Sequence, residues 1–102
     1  MPETEPEIER YLVQQTLCRG GDCVKLARPG GRGMPDRLVL MPGGWACFVE
    51  VKREKRNTVR PWQKQTIQRF QALGHRALII HRKEEVDAMF RTWETTHRLG
   101  WG

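Results

Sequence analysis

Asp36, Glu50 and Lys52 are the residues whose types and spacing point to chemistry in this 102-residue chain. Asp36 closes the tetrapeptide Gly33-Met34-Pro35-Asp36. Fourteen residues later, Glu50-Val51-Lys52 ends the apolar run Trp45-Ala46-Cys47-Phe48-Val49. Two carboxylates brought together, with the Val51 backbone carbonyl and water, make an oxygen-rich site suited to Mg2+ or Mn2+. Such an ion polarises a phosphoryl oxygen and lowers the pKa of an attacking water. An ammonium on the face of the second carboxylate orients that water or stabilises charge on a phosphate. Each pattern alone is commonplace. Glu-x-Lys in a strand is usually a surface pair, and Pro-Asp is usually a turn. The elements around them must bring them together for the chemistry to follow.

Residues 5–17 read as a helix, with Pro6 in its first turn and Ile8, Tyr11, Leu12, Val13 and Leu17 in an apolar arc. Glu9 falls at the edge of that arc and reaches toward the core, whereas Glu7 points to solvent. Gly20-Gly21-Asp22 turns the chain. Cys23 to Arg28 alternates as a short strand, and 29–33 is a glycine-rich loop. Asp36 to Met41 and Trp45 to Lys52 are two strands joined by the turn Pro42-Gly43-Gly44. Pairing across that turn brings the ends that carry Asp36 and Glu50 together. Phe48, Glu50 and Lys52 share one face at period two.

Thr58 is a candidate cap for a second helix that runs to about Leu73, with Pro61 in its first turn. Gln63, Ile67, Phe70 and Leu73 lie on one side of it. Arg76 to His81 is a short strand. Lys83 to Thr95 is a third helix with the stripe Val86, Met89, Phe90 and Trp93. The order α-β-β-β-α-β-α, with a hairpin and then a helical crossover, implies an α/β fold with a mixed sheet.

The length fits one domain, residues 1–102, with a small core. No apolar run approaches a membrane span. The acidic N-terminus lacks a signal-peptide core, which points to a cytoplasmic protein. The net charge is +6, and residues 51–70 alone carry seven Lys/Arg against one Glu. A cluster of that kind suits a polyanion, most simply nucleic acid. Cys18, Cys23 and Cys47 do not match paired-cysteine zinc spacing. The loop 30–33 lacks the Gly-Lys-Ser/Thr ending of a nucleotide-binding P-loop.

Gly33-Met34-Pro35-Asp36, Phe48-Val49-Glu50-Val51-Lys52 and Gln63, taken in order, resemble the PD-(D/E)XK nuclease superfamily. More narrowly they resemble its VRR-NUC branch in the compact, stand-alone phage and bacterial form. The resemblance runs from the Glu9-Arg10-Tyr11-Leu12 helix to the strand ending near His81. It implies a restriction-endonuclease-like α-β-β-β-α-β core with helices flanking a mixed central sheet. Asp36 and Glu50 would then be metal ligands, joined by the Val51 carbonyl, and Lys52 the catalytic lysine. Gln63 would support the site; its other reading is a structural amide bonded to the sheet. Glu9 would add an acid at or near the metal, with Glu5 the alternative from the same helix. The implied reaction is Mg2+- or Mn2+-dependent hydrolysis of DNA phosphodiesters that leaves a 5′-phosphate. Compact members resemble Holliday-junction resolvases, homodimers that act on branched DNA in a bacterial or phage-infected cell. Arg28, Arg32, Arg53, Lys55, Arg56, Arg60 and Lys64 are candidates for phosphate contacts. Competing readings are a non-catalytic DNA-binding module on the same fold, and a nuclease for generic duplex, flap or RNA.

Overall fold

A computed structural model of the chain describes residues 3–27, 33–53 and 60–98. The elements are α1 (Glu5–Cys18), β1 (Asp22–Lys25), β2 (Arg37–Met41), β3 (Trp45–Val51), α2 (Pro61–Ala72), β4 (Arg76–Ile80) and α3 (Lys83–Arg98). Their order is the expected one. β1, β2, β3 and β4 lie side by side in one sheet. The first two pairings are antiparallel and β3 pairs β4 in parallel, as a hairpin followed by a helical crossover requires.

Period two sorts the strand residues between the two faces of the sheet. Trp45, Cys47, Val49 and Val51 of β3 join Ile8 and Leu12 of α1 and Val86, Met89, Phe90 and Trp93 of α3 in the main core. Each large aliphatic or aromatic side chain buried there contributes about 1.5–3 kcal/mol. The opposite face belongs to α2, where the rings of Phe48 and Phe70 lie 4.6 Å apart. The hydroxyl of Tyr11 donates to Asp87 at 2.6 Å and ties α1 to α3. The Trp93 indole donates to the Pro42 carbonyl at 3.0 Å and ties α3 to the hairpin turn.

The helix starts are local events. Thr4 caps α1 in a reciprocal box with Glu7, which satisfies two N–H groups that the helix leaves open. α2 departs from the expected start. Its N-cap is Arg60, not Thr58, because Pro61 takes the first helical position, where its missing N–H costs nothing. Thr58 itself lies outside the described residues, as does Trp101, whose apolar ring the sequence offers for docking or for pairing with another subunit. The apolar arcs also overreach at their ends. Leu17 and Leu73 are 58% and 65% exposed, beyond the reach of the sheet. The first strand is shorter than expected and stops at Lys25. At Gly21 a Cβ would sit 2.4 Å from the Met41 sulfur and 2.6 Å from the Leu40 carbonyl oxygen, so only glycine lets α1 turn this tightly over β2.

β4 ends the sheet. The Ile80 carbonyl accepts from the Lys52 N–H at 2.9 Å, so the groups of Ala77, Ile79 and His81 face away from β3. Two of these outward positions are taken by side chains. Gln71 Nε2 donates to the Ala77 carbonyl at 2.7 Å, and the His81 N–H donates to Glu85 Oε1 at 2.6 Å.

Candidate active site

The β2–β3 ladder runs from Met41↔Trp45 to Arg37↔Val49. Continued by one residue, it sets Asp36 opposite Glu50, where side chains of an antiparallel pair share a face. The ladder closes with a side chain: the Val51 N–H donates to Asp36 Oδ2 at 2.8 Å. A strand residue sends its carbonyl toward the same neighbour as its N–H, so the Val51 carbonyl also faces the Asp36 side. Lys52 belongs to the alternate set and turns its backbone to β4. Its Nζ lies 3.8 Å from Glu50 Oε2.

Glu50 is only 2% exposed. Gly33, Met34, Pro35, Gln63 and Ile67 wall it in. Loss of water is the largest influence on its carboxyl. With repulsion from Asp36, it lifts the pKa from 4.5 to about 7 against the pull of Lys52. Asp36 moves the same way, chiefly by burial, while the Val51 N–H opposes the rise. Two carboxylates that resist ionising side by side, with a carbonyl turned their way, form a hard-oxygen donor set that fits a divalent cation. A cation's charge would remove the repulsion between them.

Gln63 makes two bonds that fix its amide. Its Oε1 accepts from the Arg60 N–H at 3.2 Å, and its Nε2 donates to Glu50 Oε2 at 2.7 Å. The start of α2 thus supplies half of a capping box and orients Glu50 at once. Gln63 is bonded to the sheet, as its structural reading expected, and the sheet residue it reaches is Glu50.

Glu9 sits differently from the three central residues. Its Oε2 accepts from Arg37 Nε at 2.7 Å, and Arg37 also donates to the Cys23 carbonyl. Its charge acts on Asp36, whereas the charge of Glu5 acts on both Asp36 and Glu50. Glu5 Oε2 accepts from the Arg53 N–H at 3.5 Å. Among the described residues, no three His, Cys, Asp or Glu side chains converge closely enough to enclose an ion by themselves.

Of the seven basic candidates, Arg53, Arg60 and Lys64 are described. Arg60 and Lys64 are exposed, and Arg53 is half-buried beside the site. Arg28, Arg32, Lys55 and Arg56 lie outside the described residues. Two residues at the site went unread in the sequence. Arg37 grips Glu9, and His81 places Nδ1 3.0 Å from the Lys52 carbonyl. The next-door position of Arg37 to Asp36 was a signal for the first. Nothing in the sequence marks the second.

No family model matches the chain. A curated phage protein named "Putative nuclease p44", from Acyrthosiphon pisum secondary endosymbiont phage 1, is 40% identical over 76 residues. That match covers 74% of this chain and 81% of the phage protein. A solved structure described as a VRR_NUC domain superimposes with a TM-score of 0.79 at 30% identity, over 87% of this chain and 97% of that one. The chain belongs to the VRR-NUC nuclease family. A second solved VRR_NUC domain protein, at 16% identity, shares the fold with a TM-score of 0.63 over 89% of this chain and 88% of its own. The VRR-NUC sheet and its flanking helices are those of the restriction-endonuclease-like α/β core that the motifs implied.

Proposed function

We propose that this VRR-NUC chain is a Mg2+- or Mn2+-dependent endonuclease that hydrolyses phosphodiesters in branched DNA. The observation that carries the reading is the opposition of Asp36 and Glu50 on adjoining strands, with Lys52 on the second carboxylate. Asp36, Glu50 and the Val51 carbonyl would hold the ion, with Glu9 or Glu5 as the acid contributed by α1. Such an ion would supply Lewis acidity and a more acidic water. Lys52 would orient an attacking water and stabilise charge on the phosphate, and Gln63 holds Glu50 in place. Both α1 acids bear on the site: the charge of Glu9 acts on Asp36, and that of Glu5 on both Asp36 and Glu50. Arg53, Arg60 and Lys64, with Arg28, Arg32, Lys55 and Arg56, would contact phosphates beside the site without reading sequence. A phage relative supports action in the cytoplasm of a bacterial or phage-infected cell. Among the described residues, no helix is long and apolar enough to cross a membrane.

The test is a cleavage panel of four-way junctions, flaps, linear duplexes and RNA, with Mg2+ or Mn2+ and at stepped salt. Junctions should be cut to 5′-phosphate ends, and binding should weaken steadily with salt as counterion release loses its advantage. If wild type binds DNA but cuts none of the panel, the chain is a binding module. Preferential cutting of RNA or plain duplex would remove the branched-DNA assignment.

Resolving a junction needs two cuts related by twofold symmetry, and one such domain has one site. We therefore also propose a homodimer, formed across the groove between β4 and α3. Two adjoining hollows there measure about 300 and 310 Å3 and share Leu78, Met89 and Thr92. Leu78 is 37% exposed at the centre. Arg76 lies at one end and Glu85 at the other. A twofold axis near Leu78 would set Arg76 of each copy against Glu85 of the other, the self-complementarity an isologous contact needs. Sedimentation at micromolar concentration should give the mass of two chains for wild type and of one for Leu78→Glu. A monomeric wild type, or a dimeric variant, overturns this surface.

A further inference from the structure

Lys52 lies one residue past the end of β3, where no ladder holds it on the β2 side. Two bonds from the end of β4 hold its backbone. Its N–H donates to the Ile80 carbonyl at 2.9 Å. Its carbonyl faces His81 Nδ1 at 3.0 Å. A carbonyl oxygen can only accept, so Nδ1 must carry the ring proton, and this contact fixes the tautomer. His81 is itself anchored, since its backbone N–H donates to Glu85 Oε1 at 2.6 Å. From Glu85 a continuous path leads through His81 to the Lys52 backbone, and from the Lys52 ammonium to Glu50 at 3.8 Å.

We propose that His81 is a positioning residue: its Nδ1–H, donated to the Lys52 carbonyl, holds Lys52 in the register that keeps its ammonium on Glu50. The inference rests on the reading of Lys52 as the lysine of a nuclease centre. The geometry explains why a histidine serves here. The bond must come from a short, rigid side chain at the end of β4, with a donor near the ring's attachment point. The amide nitrogen of asparagine sits at a comparable distance from the backbone, so asparagine can replace the bond, whereas leucine fills the space without it.

The test uses the full chain with His81→Leu, His81→Ala and His81→Asn. Two donor-less variants guard against a loss of fold peculiar to one side chain. Single-turnover cleavage of a saturating four-way junction with Mn2+ is measured beside junction affinity and amide exchange at Lys52 and Val49. The donor-less variants should cleave about tenfold more slowly with affinity unchanged, and asparagine should restore most of the rate. The Lys52 amide should lose protection in the donor-less variants while Val49, inside the ladder, keeps its own. Wild-type cleavage by the donor-less variants overturns the proposal, and so does an equal loss in asparagine and leucine. Unchanged exchange at Lys52 overturns it too. If wild type cleaves nothing, the nuclease reading fails separately, and the exchange measurement still decides whether His81 holds Lys52.

Discussion

Lys52→Ala is expected to lower cleavage by roughly a thousandfold or more while the protein still binds DNA with nearly wild-type affinity. Two features separate these effects. The ammonium is turned inward, 3.8 Å from the buried Glu50, so it is not one of the exposed cations that meet a phosphate backbone. It also opposes the rise in the Glu50 pKa, so its removal makes that carboxylate harder to ionise. The loss therefore falls on both charge stabilisation in the transition state and the charge state of the proposed metal site. Single-turnover cleavage and fluorescence anisotropy on the same junction check it. A variant that cleaves at the wild-type rate removes Lys52 from the mechanism, and one that loses binding in step with cleavage makes it a DNA anchor.

Stability should depend on pH and on divalent ions together. In the unfolded chain Glu50 releases its proton near 4.5, but in the folded protein only near 7. Between those values the folded state binds more protons, so raising the pH favours unfolding. The penalty amounts to roughly 3 kcal/mol once the pH exceeds about 7. Asp36, also raised, adds in the same direction. An ion that replaces the proton reverses the penalty only where the carboxylates must otherwise carry bare charge. Mn2+ should thus raise the melting midpoint by about 5 °C or more at pH 8 and by little at pH 5. Glu50→Gln should flatten the pH dependence over this range and lose the response to the ion. Equal shifts at both pH values, or a glutamine variant as responsive as wild type, would sink this account.

The hairpin was legible because two strong local signals agreed. Period two placed Glu50 on a face, and Pro42-Gly43-Gly44 fixed the turn, so Asp36 and Glu50 had to meet. The α3 stripe was legible for the same reason, since all four of its expected residues are buried. The start of α2 was misread because threonine is the better cap in general, and here the proline at the next turn decided the matter. Leu17 and Leu73 fit their helical arcs and are nevertheless exposed, because an arc says nothing about where the sheet beneath it ends. Least legible were the bonds that cross between elements. Arg37 meets Glu9 from 28 residues away, and His81 meets Lys52 from 29. No periodicity encodes such contacts. They exist because the register of one strand pair and the tilt of one helix happen to bring those side chains into reach.

The stoppered margin of β4 bears on how the protein behaves when crowded. A bare outer strand invites another chain to extend the sheet, and each addition offers a fresh margin for the next. Gln71 on the Ala77 carbonyl and Glu85 on the His81 N–H occupy two of the rungs that such growth would use. The association proposed for the neighbouring groove would close after two copies, whereas backbone extension need not close at all. On this edge the same glutamine and glutamate thus oppose backbone extension, and Glu85 does so while anchoring the histidine that reaches Lys52.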